Sequence, residues 1–78
     1  MDGKKLVKMA NEIGAFFAAE PDGKVARAGI AGHLKRFWEP RMRREIFAVI
    51  ARGPDHGLKQ IVVEALQEHR QTLEPVAV

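Results

Sequence analysis

Three proline-bearing breaks divide this 78-residue chain: Pro21-Asp22-Gly23, Glu39-Pro40 and Gly53-Pro54. Proline lacks a backbone N–H and disfavours helical geometry in the residue before it, so each break stops a helix. Between the breaks, apolar residues recur at helical spacing, and strand-type alternation is not sustained in any segment. Together these features predict an all-α fold, a small compact bundle of about four short helices over 4–19, 24–38, 40–52 and 58–71. The chain reads as a single domain, 1–78, with a flexible C-terminal tail from about residue 72.

Each predicted helix carries one apolar stripe. In the first, Leu6, Met9, Ala10, Ile13, Phe16 and Phe17 follow the i, i+3, i+4, i+7 rule, and all are expected in the core. Gly14 lies beside that stripe, where a missing side chain allows close approach by another helix. In the second, Ala26, Ile30, His33, Leu34 and Phe37 form the stripe. Gly29 and Gly32 weaken this helix intrinsically, so packing must hold it. Pro40 suits the first position of the third helix, whose apolar face is Met42, Ile46, Phe47, Val49 and Ile50. In the fourth, Leu58, Ile61, Val62, Ala65, Leu66 and His69 line up.

A core from so short a chain is modest, and small domains usually add a disulfide, a metal or a partner. The chain has no Cys, which removes disulfides, thiolate zinc sites and cysteine-ligated iron–sulfur clusters. It also has no Ser or Tyr, and its single Thr is Thr72, so hydroxyl and thiol nucleophiles are essentially missing. His33, His56 and His69 fall on different elements without metal-ligand spacing. His33 reads as structural with a partner contact as its alternative, His56 as a loop residue, and His69 as suited to a helix C-terminus. Glu64 and Glu68 read as a solvated face. No catalytic, cofactor-binding or metal-binding residue is expected, which leaves partner binding. No signal-peptide pattern and no apolar run of about 20 residues is present, so a cytoplasmic protein that does not enter membranes is expected.

The net charge of +3 is unevenly spread. Residues 24–52 hold eight basic and two acidic side chains, and both flanks are slightly acidic. This basic middle contains the only Trp, in His33-Leu34-Lys35-Arg36-Phe37-Trp38-Glu39-Pro40-Arg41-Met42. Aromatic and Arg side chains dominate interface energetics. The expected partner interface is Asn11, His33, Arg36, Phe37, Trp38, Pro40, Arg41, Met42, Arg43 and Arg44. Trp38, one residue off a stripe already filled by Ile30, Leu34 and Phe37, is either a lid on the core or an anchor in the partner, and the anchor is favoured. The weaker alternative is a nucleic-acid-binding regulator that reads bases with Arg41, Arg43 and Arg44 from the third helix. Against it, the break lacks the usual glycine turn, and the chain is poor in the Ser and Thr common among base readers.

These motifs resemble a known family, the delta subunit of cytoplasmic NAD-dependent formate dehydrogenase of the molybdenum or tungsten type. Similar proteins carry the run Leu6-Val7-Lys8-Met9-Ala10-Asn11-Glu12-Ile13-Gly14-Ala15-Phe16-Phe17. A second match runs from Ala28 to Trp38 and on through Pro40-Arg41-Met42. A third is Gly57-Leu58 with Val62, Glu64, Ala65 and Leu66. Together the matches cover about residues 5–66. Two departures concern helix starts. Glu39 stands where the family has Asp, a better N-cap. Lys59 and Gln60 stand where a capping residue and Pro are common. The resemblance implies a non-catalytic accessory subunit that docks on the catalytic alpha subunit, in a complex with beta and gamma subunits. Such a subunit would stabilise the complex or support cofactor insertion or retention, or act as an assembly chaperone that later dissociates. It implies that the complex carries a molybdenum or tungsten pterin, iron–sulfur clusters and FMN and uses NAD, none of them held by this chain.

Overall fold

In the computed structural model, which describes residues 2–75, five helices follow one another: α1 (Gly3–Phe17), α2 (Gly23–Phe37), α3 (Pro40–Ala51), α4 (Gln60–Glu68) and α5 (Arg70–Leu73). The chain is a small all-α bundle, with no strand among the described residues. Two starts are capped as the sequence dictates. The Asp2 carboxylate accepts from Lys4 N–H, and the Asp22 carboxylate accepts from Lys24 and Val25 N–H. Each satisfies first-turn donors that have no partner within the helix. The start of α3 lacks this. Glu39 is extended and makes no side-chain capping bond, and Pro40 alone shapes the entry.

The last predicted helix is corrected. It begins at Gln60 because Gly57 turns the chain at φ +80° and Lys59 is still extended, and Lys59 offers no side-chain cap. It also breaks at His69, which caps α4 before the single turn of α5. That break turns Leu73 inward, where it is fully buried. Thr72 and Leu73, at the expected start of the tail, belong to α5. Residues 76–78 lie outside the described residues.

Every helix supplies the centre of the core. Leu6 comes from α1, Ile30 and Leu34 from α2, Ile46 from α3, Val62 and Leu66 from α4, and Leu73 from α5; all are fully buried. Each such side chain contributes about 1.5–3 kcal/mol through apolar burial. Two glycines set how closely the helices meet. A Cβ on Gly14 would lie 2.6 Å from a Val62 methyl, so α1 and α4 touch where the sequence leaves room. A Cβ on Gly29 would lie 2.5 Å from the Phe17 ring, so that ring rests on the bare backbone of α2.

The aromatic residues are corrected too. Phe16 is 74% exposed and Phe37 is 67% exposed, whereas Trp38 is 4% exposed. Helical periodicity stops applying at Trp38, because α2 ends at Phe37 and Trp38 is extended at φ −92°, ψ 131°. The indole is thereby turned into the core, while Phe37, the residue on the stripe, stays outside. Phe16 and Phe17 are adjacent, about 100° apart around the helix. Only Phe17 reaches the neighbouring helix, and the two rings meet edge to face at 5.0 Å.

Candidate partner interface

The residues singled out in the sequence divide into three groups. Asn11, Trp38 and Arg43 are engaged within the chain. The Asn11 amide donates to the Gly57 carbonyl at 2.9 Å, and its carbonyl accepts from Lys59 N–H at 2.8 Å. From α1 it therefore pins the loop that launches α4, the start that has no side-chain cap of its own. Trp38 is the lid on the core rather than a surface anchor. Arg43 is 8% exposed and donates from Nη1 to the Leu73 carbonyl at 2.9 Å, which ties α5 to α3. This is a correction to the basic patch: Arg43 faces the α5 end of the core, and a base-reading set that includes it does not face outward.

Arg36, Arg41 and Arg44 make up the second group. All three are exposed, and none forms an ion pair or side-chain hydrogen bond among the described residues. The other arginines and Lys35 are engaged. Arg27 bonds Glu68 at 3.0 Å, Arg52 bonds Glu45 at 3.1 Å, and Lys35 reaches the Thr72 carbonyl at 3.3 Å. At the chain's end, Arg70 and Glu74 form two bonds of 2.8 and 3.1 Å. That hydrogen bond and charge hold the Glu74 carboxyl below the usual carboxylate range and raise the Arg70 guanidinium above its ordinary value.

The third group, His33, Phe37, Pro40 and Met42, lies at the corner where α2 gives way to α3. The His33 and Phe37 rings pack at 4.8 Å with a 46° tilt. They form one wall of an open hollow of about 330 Å³. Met9 and Ile13 of α1 form the opposite wall, Trp38 and Met42 close the end, and Glu12 is its only carboxylate. Met42 is shared with a second, smaller hollow that it lines with Leu6, Arg41, Arg44 and Glu45. Pro40 is exposed beside them.

Phe16, expected in the core, is mostly exposed, while Met9 and Ile13 pack half-buried against the core and line the hollow. The usable signal was the adjacency of Phe16 and Phe17, whose side chains leave the helix about 100° apart, so that both fit only a wide buried face. A larger hollow, about 500 Å³, lies elsewhere, between the start of α1 and the α3–α4 loop. Its charged walls are mixed, with Asp2 and Asp55 beside Lys4 and Arg52. Among the described residues, no group of three or more His, Cys, Asp or Glu is placed to hold a metal ion. Nor is any helix there long and apolar enough to cross a membrane.

The arrangement can present cations and apolar side chains to another molecule. In comparison with known proteins, the family model described as NADH-dependent formate dehydrogenase delta subunit FdsD matches residues 5–66. No curated protein and no solved structure matches the chain.

Proposed function

Because the chain belongs to the NADH-dependent formate dehydrogenase delta subunit family, we propose that it is a non-catalytic accessory subunit that docks on the catalytic alpha subunit. The family match over most of the chain carries this reading. The lack of Cys and Ser supports it, as do exposed Arg36, Arg41 and Arg44, which have no ion-pair partner among the described residues. In this reading the cofactors of the cytoplasmic complex, a molybdenum or tungsten pterin, iron–sulfur clusters and FMN, belong to the partner subunits. The delta chain acts by mass action. A subunit that binds only the folded, cofactor-loaded partner stabilises that state in proportion to how far its concentration exceeds Kd. Support for cofactor insertion or retention is the same linkage seen from the partner's side.

The test is a pull-down of the tagged full chain, with partners identified by mass. Recovery of the alpha subunit in a stable ratio is the expected result. The isolated chain is expected to show no formate oxidation. Elution of the chain alone, or with unrelated proteins only, would overturn the reading.

A further inference from the structure

Helices α1 and α2 run antiparallel with a seam that is not fully closed. At one end the Phe17 ring lies on Gly29. At the other, Met9 and Ile13 share a hollow with His33 and Phe37. The outer edge of this seam is apolar apart from Glu12: Phe16 and Phe37 are mostly exposed, and Met9, Ile13 and Met42 are half-buried. From Met9 to Phe16 the seam spans about 10 Å of helix, enough for two or three side chains of a partner. Arg36 precedes Phe37 on α2, and Arg41 and Arg44 line the second hollow, which shares Met42 with the first; all three are exposed and without an intramolecular partner among the described residues.

We propose that this seam, with Phe37 as its anchor, docks a partner protein segment bearing apolar side chains flanked by carboxylates. The claim rests on the accessory-subunit reading and names the face and the chemistry that reading leaves open. Charge complementarity selects the occupant. An apolar insert fills the hollow between Ile13 and Phe37. Carboxylates beside it meet three guanidinium groups that are not already neutralised, and Arg is the residue that pairs carboxylates bidentately.

The face is tested on the full chain with the formate dehydrogenase catalytic subunit as the probe. Three variants are compared with the unaltered chain by titration at low and moderate salt: Phe37→Ala, Arg36→Glu/Arg41→Glu, and a control, Lys4→Glu/Lys24→Glu. The control makes the same charge change away from the seam, in first turns where a carboxylate is favourable. Phe37 is largely exposed, so helix content by circular dichroism is expected to stay unchanged. Phe37→Ala should weaken binding about 30-fold, the ratio a hot-spot side chain carries. The Arg double variant should weaken it comparably, with a loss that shrinks as salt rises, while the control binds within about 3-fold of the unaltered chain. If the control loses affinity and the seam variants do not, the face is wrong and the accessory-subunit reading stands. If the unaltered chain does not bind the subunit at all, that reading fails and the seam proposal falls with it. Concentration-dependent dimerisation abolished by Phe37→Ala, or salt-sensitive binding of an oligonucleotide abolished by the Arg double variant, would overturn the proposed occupant.

Discussion

Replacing Trp38 with Ala separates the core from the surface more sharply than any other single change. The indole is 4% exposed and belongs to the central apolar cluster. Removing such a buried aromatic costs about 3–5 kcal/mol, the lost transfer energy together with the cavity left behind. At typical per-residue stability, a 78-residue domain holds about 4–12 kcal/mol in total. Trp38→Ala should therefore remove a large share of the stability of the free chain, and unfold it outright if the total lies near about 4 kcal/mol. Where it still folds, the midpoint of melting should fall by at least about 12 °C, since each kcal/mol moves a domain of this size by about 4–8 °C. The neighbouring Phe37→Ala provides the scale. That ring is 67% exposed, so about a third of a full burial term is lost, on the order of 0.5–1 kcal/mol. Urea unfolding followed by circular dichroism at 222 nm measures both, because Trp38 is the only Trp and fluorescence would vanish with it. If Trp38→Ala unfolds at the same urea concentration as the unaltered chain but loses its partner, the indole is an anchor and its placement in the core is refuted.

Three further outcomes are expected. Gly14→Ala should destabilise by about 1–3 kcal/mol despite better helix propensity, because its Cβ would sit 2.6 Å from Val62; Gly32→Ala, with nothing within 4 Å, should stabilise by about 0.5–1 kcal/mol. Paired urea curves decide this, and equal shifts of the two would refute the close-packing argument. Glu39→Asp should add about 0.5–1 kcal/mol by capping α3, where Glu39 makes no side-chain bond; an unchanged urea midpoint would count against it. The Glu74 carboxyl, held low by its hydrogen bonds to Arg70, contributes stability above the unfolded carboxylate range and loses it as pH falls through its lowered folded value. A carbon-detected NMR titration should show Glu74 protonating below an ordinary Glu, and Arg70→Ala should move it back up.

The sequence alone determined that the chain is a bundle of short helices. Pro21, Pro40 and Pro54 act locally and stop helices whatever surrounds them. The stripes through Leu6, Ile30, Leu34, Ile46, Val62 and Leu66 face inward because their spacing matches the helical repeat. Gly14 also announced its role, since a glycine beside an apolar stripe invites a neighbour and Val62 occupies the space. Poor capping by Glu39 and Lys59 was legible too, because capping depends on side-chain chemistry within one turn.

Only the tertiary structure decided which of the central aromatic and basic side chains are free to meet a partner. Trp38 and Phe37 exchange places because the helix ends between them, and periodicity carries no information beyond a helix end. Arg43 and Arg44 are adjacent members of one basic run, yet Arg43 reaches the Leu73 carbonyl, thirty residues onward, while Arg44 stays exposed. Asn11, placed by its neighbours in a candidate interface, instead holds the loop before α4. In each case the deciding partner is far away in sequence. The long-range packing that places such partners depends on how the helices cross, and the spacing of residues along one helix does not encode it.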